Sequence, residues 1–170
     1  MPRYGYQAVL TRRQEWVGLC IALVFWMGRT ALARALVTDP AALYLIPVPL
    51  AADAAPADTL PSPAIAQVRA LRDFVAENAR SARRFLAACG HPGPIAELGI
   101  AVLDEHSREE DIPPLLAPLR EGRPLGLVSE AGAPAVADPG ARLVAAAHRE
   151  SFRVVPLVGP SSILLALMAS

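Results

Sequence analysis

The sequence predicts an α/β fold, a parallel sheet of about five strands flanked by helices on both faces. Three observations predict it. From Leu43 onward, short apolar runs alternate with helical stretches, the rhythm of strand–helix–strand units and not of hairpins. The runs themselves, such as LYLIPV and LGLVS, are apolar without alternation, as in strands buried on both faces. Hydrophobic residues make up 54% of the 170 and charged ones 19%, enough for one domain with a real core.

Taken in order, the elements begin after an N-terminal extension, residues 1–41. This segment contains the apolar run 17–27 (VGLCIALVFWM), flanked by Arg12, Arg13 and Arg29. A bilayer span needs roughly 20 apolar residues, and Arg29 and Arg34 interrupt any extension, so no stable membrane partner is expected. An export signal is the rival reading of a basic start followed by an apolar middle. The domain proper runs over 42–170. Residues 43–48 read as the first strand, ended by Pro47 and Pro49 because proline cannot donate to a ladder. Residues 51–61, rich in Ala, Asp and Pro, read as a loop. Ser62 followed by Pro63 marks a helix start, with Ile65, Val68 and Leu71 on its apolar side. Residues 73–77 form a second strand, and 81–88 a helix stopped by Gly90, Pro92 and Gly93. Residues 100–103 are strand-like, and 109–120 read as one helix with Pro113 and Pro114 near its start. The last elements are a strand at 125–129, a loop at 132–140, a helix at 141–148, a strand at 152–156 and a helix at 161–169. Because the chain stops inside that apolar helix, the domain is expected to be truncated at its C-terminus and to lack a second domain.

Composition removes several function classes. Sixteen basic residues, all arginine, balance sixteen acidic ones, which excludes the blanket basic charge of a non-specific nucleic-acid coat. An RNA substrate reached through a local patch stays open. Cys20 and Cys89 form no CxxC or Cys/His spacing, which points away from a disulfide framework or structural zinc and toward a reducing, cytoplasmic compartment. Neither GxGxxG nor GxxxxGK[ST] occurs, so phosphoryl transfer and classical dinucleotide redox chemistry drop out.

Two stretches carry chemistry. In residues 126–140 (GLVSEAGAPAVADPG) a strand runs into a loop of very small residues bearing Glu130 and Asp138. Ligands of parallel sheets bind at the carboxyl ends of strands, and small residues let them approach the backbone closely. The plainer alternative is a tight strand-to-helix turn. In residues 155–162 (VPLVGPSS), Ser161 and Ser162 open a helix after a strand, where free N–H groups and hydroxyls suit a polar ligand. An ordinary N-cap is the alternative there. Arg80, Arg83 and Arg84 share one helix face by their i, i+3, i+4 spacing and can reach a phosphate backbone or simply be solvated.

LYLIPVPL, then VAENARSARRFL, GLVSEAGAPAVADPG and VVPLVGPSS, in that order, resemble the tetrapyrrole-methylase superfamily of S-adenosylmethionine-dependent methyltransferases. Within it they are more similar to the branch of the ribosomal RNA cytidine-2′-O-methyltransferases and its relatives. The resemblance implies that this chain is the N-terminal α/β domain of a two-domain enzyme, with S-adenosylmethionine as cofactor, RNA as acceptor and a homodimer as assembly. By motif position it implies cofactor contacts at Pro49, Gly132, Ala133, Pro134, Val136, Ser161 and Ser162. Three departures bear on the acceptor: Leu50, Ala51 and Ala52 replace a Gly/Asn loop, Asn78-Ala79 replaces Asp-Thr, and Glu130 replaces aspartate.

Methyl transfer to a hydroxyl needs positioning, exclusion of water and removal of a proton. The candidate bases are Glu77, Glu130, Asp138 and His106. Glu77 can instead pair with Arg80, Asp138 can cap the following helix, and His106 can be a solvated loop residue. No metal is expected. The alternatives to RNA methylation are a catalytically incomplete fragment and a small-molecule tetrapyrrole methylase.

Overall fold

The computed structural model describes residues 41–51 and 53–170; the apolar run 17–27 and Ala52 lie outside the described residues. Strand β1 (Ala42–Ile46) is followed by a four-residue helix, α1 (Pro56–Thr59), inside the stretch expected to be loop, and by α2 (Ser62–Ala70). Then come β2 (Asp73–Ala76), α3 (Ala79–Ala88) and β3 (Gly99–Val102). The expected single helix over 109–120 is broken into a 3-10 turn, α4 (Ile112–Leu115) and α5 (Ala117–Arg120). Proline causes the break. Pro113 and Pro114 open α4 and Pro118 opens α5, and each ring removes a donor and clashes with the preceding turn. The chain ends with β4 (Leu125–Val128), α6 (Gly140–Arg149), β5 (Arg153–Pro156) and α7 (Ser162–Ala169). Ser62 does not cap α2; Pro61 holds the cap position, and no side-chain hydrogen bond is made there.

The five strands form one all-parallel sheet in the order β3-β2-β4-β1-β5. Leu43 pairs in register with Leu125 of β4 and with Val154 of β5. Strand periodicity then sends alternate side chains to opposite layers. Tyr44, Ile46 and Phe74 join Val68, Phe85 and Leu86 of α2 and α3 on one face. Leu43, Val75 and Leu127 join Ile112, Leu119 and Leu143 of α4, α5 and α6 on the other. Fully burying each such side chain stabilises the fold by roughly 1.5–3 kcal/mol. Gly126 sits at the centre of β4 because Phe74 Cδ1 and Ile46 Cδ1 would lie 2.7 and 2.8 Å from any Cβ there.

The order of strands fixes where a ligand can enter. From β1 the chain steps to β2 and β3 on one side; from β4 it steps across β1 to β5 on the other. Right-handed crossovers in opposite directions require helices on opposite faces, as observed. So β1 and β4 are neighbours whose connections leave in opposite directions, the position at which parallel sheets form a ligand crevice beyond the carboxyl ends of their strands. Beyond β5, α7 leaves Ile163, Leu164, Leu165, Leu167 and Met168 between 49% and 74% exposed.

Candidate functional site

The two loops that part at the crevice are first clasped together. Val48 N–H donates to Gly132 O at 2.9 Å, and Gly132 N–H donates to Val48 O at 2.8 Å, a short antiparallel bridge between the segments after β1 and β4. The buried Ser129 hydroxyl donates a third bond to Gly132 O at 2.8 Å. Gly132 has φ +72°, and Ala135 and Ala137 follow with φ +64° and +58°. A left-handed conformation costs an L-residue roughly 1–2 kcal/mol, so two alanines there mark a loop held in shape by its surroundings. The Asp138 carboxylate supplies part of that hold. It accepts Ala135 N–H at 2.9 and 3.0 Å and Gly140 N–H at 2.8 Å.

The loop after β5 joins from the other side. Gly159 lies so close to the Pro47 ring that a Cβ would stand 2.5 Å from Pro47 Cβ. A Cβ on Gly132 would find Leu50 Cδ2 at 3.1 Å, Pro160 O at 3.8 Å and Ser162 N at 4.0 Å. Three loops, from β1, β4 and β5, therefore converge at Gly132, which carries no side chain. Of the residues expected at a cofactor site, Pro49, Gly132 and Pro134 are buried and Ala133 and Ser161 half-buried. Ser161 is an N-cap, its hydroxyl accepting Leu164 N–H at 3.4 Å, while the backbone nitrogen of Ser162 lies 4.0 Å from where a Cβ on Gly132 would stand. Val136 is 48% exposed.

The candidate bases separate by their partners. Glu130 is exposed, and its carboxylate accepts the Ser81 hydroxyl. Asp138 is committed to the loop; burial raises its pKa, and the backbone N–H groups of Ala135, Gly140 and Ala141 pull it back. Glu77, just past β2, has no hydrogen bond or ion pair among the described residues, so the expected pairing with Arg80 is not formed. Its pKa is raised, first by burial and then by the neighbouring charges of Glu130, Asp138, Glu105 and Asp104. His106 stands on an exposed turn, 3.7 Å from Glu105, with its side chain 84% exposed. Two clefts flank the loop after β4. One of about 300 Å³ is lined by Val48, Pro49, Ser81, Arg84, Phe85 and Glu130. The other, about 530 Å³, is lined by Glu77, Glu105, Ala137, Asp138 and Arg142. No group of three His, Cys, Asp or Glu among the described residues is placed to hold a metal ion.

Sequence reasoning missed Val48, Ser129, Pro47 and Gly159. Only Ser129 carried a local signal, a hydroxyl at the end of a fully apolar strand.

No protein-family model matches the chain. A ribosomal RNA small subunit methyltransferase I from Escherichia coli O157:H7 is 34% identical over 128 residues, 75% of this chain and 42% of that protein. The chain is similar to ribosomal RNA methyltransferases. The protein of the same name from Mesorhizobium japonicum is 50% identical over 66 residues, 39% of this chain and 22% of its own length. The one from Xylella fastidiosa is 36% identical over 105 residues, 61% of this chain and 36% of its own. The chain spans less than half the length of each of these relatives.

Proposed function

We propose that this chain is the cofactor-binding α/β domain of an S-adenosylmethionine-dependent methyltransferase of the tetrapyrrole-methylase fold, acting on ribosomal RNA. One observation carries the reading: the loops after β1, β4 and β5 meet around Gly132, whose bare α-carbon leaves the cradle between Leu50, Pro160 and Ser162 open. A nucleoside ligand bearing a sulfonium suits such a place, because it needs close backbone approach and a few N–H and C=O groups. Pro49, Gly132, Ala133, Pro134, Ser161 and Ser162 would hold it, with Val136 at the rim. The similarity to ribosomal RNA methyltransferases supports RNA over a small tetrapyrrole as acceptor, and with it a place of work beside the ribosomes in the cytoplasm. By analogy of fold, the assembly is a homodimer.

S-adenosylmethionine supplies an electrophilic methyl group on sulfonium. The residues of this chain supply position, dryness and a base. The Val48–Gly132 clasp and the Ser129 bond hold the loop rigid, so that no reorganisation is needed when acceptor and donor meet. Glu77 is the base we favour for the acceptor hydroxyl. Its carboxylate is not consumed by a structural hydrogen bond, unlike those of Asp138 and Glu130, and its raised pKa brings it toward the working range of a general base.

The test has two steps. S-adenosylhomocysteine is titrated into the chain by calorimetry, and tritiated S-adenosylmethionine is then supplied with small-subunit ribosomal RNA. Saturable binding together with label in alkali-resistant dinucleotides, the mark of ribose 2′-O-methylation, is the expected result. Binding without label would leave a domain that holds cofactor but does not turn over. No binding would remove the methyltransferase reading for this chain.

A further inference from the structure

Several arginines of the described residues are held by partners. Arg69 donates to Cys89 O, Arg108 pairs with Glu110, Arg120 with Glu150, Arg123 with Asp73 and Glu121, and Arg142 donates to Ser107 O and Asp104 O. Arg72, Arg80, Arg83, Arg84 and Arg149 have no such partner, and of these Arg80, Arg83 and Arg84 stand together, exposed, on α3. α3 buries Ala82, Phe85 and Leu86 against the sheet, which turns the three guanidinium groups outward within about one helical turn of one another.

Arg80 is electrostatically unfavourable for the helix, because it stands in the first turn at the positive end of the macrodipole, where no acidic residue offsets it; Arg83 and Arg84 follow one turn on. Stability would place carboxylates there. Glu130, which shares a cleft with Arg84, is turned to the Ser81 hydroxyl and not to an arginine. Because α3 follows β2 and returns across the sheet, its first half lies at the carboxyl edge, the edge that carries the candidate site. Arg84 itself lines the 300 Å³ cleft beside Val48, Pro49 and Glu130.

From this we infer that Arg80, Arg83 and Arg84 form a phosphate-binding strip that seats the RNA backbone beside the crevice between β1 and β4. The inference rests on the RNA reading above and adds to it the surface through which the RNA is held. Phosphate contacts of this kind position a strand without reading its sequence, so the strip sets which nucleotide's sugar arrives at the loop after β4.

The test is filter binding of a small-subunit ribosomal RNA fragment with a single-stranded loop, across NaCl from about 50 to 200 mM. Each phosphate contact on a single strand contributes about 0.7 to the slope of log affinity against log salt. The triple variant R80Q/R83Q/R84Q should therefore lose about 2 from that slope and bind roughly 10- to 100-fold more weakly at the low-salt end. Its affinity for S-adenosylhomocysteine should stay unchanged. The triple lysine variant, which keeps the charge, should keep the slope, and R72Q/R149Q, at the other edge of the sheet, should leave it as in the parent. An unchanged slope in a triple glutamine variant that melts like the parent overturns the strip while the RNA reading stands. A parent chain that binds S-adenosylhomocysteine but no RNA overturns both.

Discussion

Replacing Gly132 by leucine separates the strain of a left-handed residue from the blocking of a ligand site, because Gly122 offers a matched control. Both glycines have positive φ, +72° and +75°. Around Gly122 nothing lies within 4 Å of a Cβ, whereas at Gly132 the Cβ enters the space between Leu50, Pro160 and Ser162. A side chain at either position should cost roughly 1–2 kcal/mol of folding stability from the backbone alone. The clash with Leu50 adds little, since that side chain is 39% exposed and can swing aside. With S-adenosylhomocysteine at about 100 times the parent's dissociation constant, the parent and Gly122→Leu should each gain about 2.7 kcal/mol. A hundredfold weaker site in Gly132→Leu would gain only about 0.4 kcal/mol at that ligand concentration. Urea unfolding with and without ligand reads both quantities. Equal ligand-induced gains in the two leucine variants would refute the placement of the cofactor at Gly132, whatever their stabilities.

Two further expectations follow from the same site. Ser129→Ala removes the donor to Gly132 O from a buried position, so it should lower stability by about 1 kcal/mol and weaken S-adenosylhomocysteine binding, measured by denaturation and calorimetry, because Gly132 is then held by the Val48 clasp alone. Glu77 has a folded-state pKa above its ordinary 4.5, so ionisation penalises the folded state; the penalty is absent well below that pH and grows as pH climbs through it. Glu77→Gln should therefore melt at a higher temperature than the parent at pH 7, the gap should close on acidification below about pH 4, and methyl transfer should be lost where binding is not.

The sheet was legible because its central strands β1 and β4, buried on both faces, leave apolar runs, and all five expected strands form, including the less buried edge strands β3 and β5. The helix over 109–120 was not, since its apolar spacing masks three prolines that cut it into single turns. At the site, the small residues around Gly132 lie where the loops pack closely on one another, and Asp138, expected to cap the following helix, stands one residue before its N-cap Pro139 and ties the Ala135 and Gly140 N–H groups instead. The clasp of Val48 to Gly132 and the seating of Gly159 on Pro47 join segments far apart in the chain, and no local pattern reports such a pairing. Glu77 shows the limit most clearly: a spacing of three residues suggested a bond to Arg80, but Arg80 points outward from α3 while Glu77 stays at the crevice.

The strand order also governs how the protein is made. β1 is synthesised first, yet its two neighbours in the sheet, β4 and β5, are the last strands to appear. During translation Leu43 and Ile46 must wait, unpaired, until Leu125 to Val128 and then Arg153 to Pro156 emerge. Sheets closed by such long-range pairings form slowly and expose apolar strand in the interval. Slower elongation or chaperone supply around the synthesis of residues 125–156 should therefore govern the soluble yield of this chain more than any change to the helices.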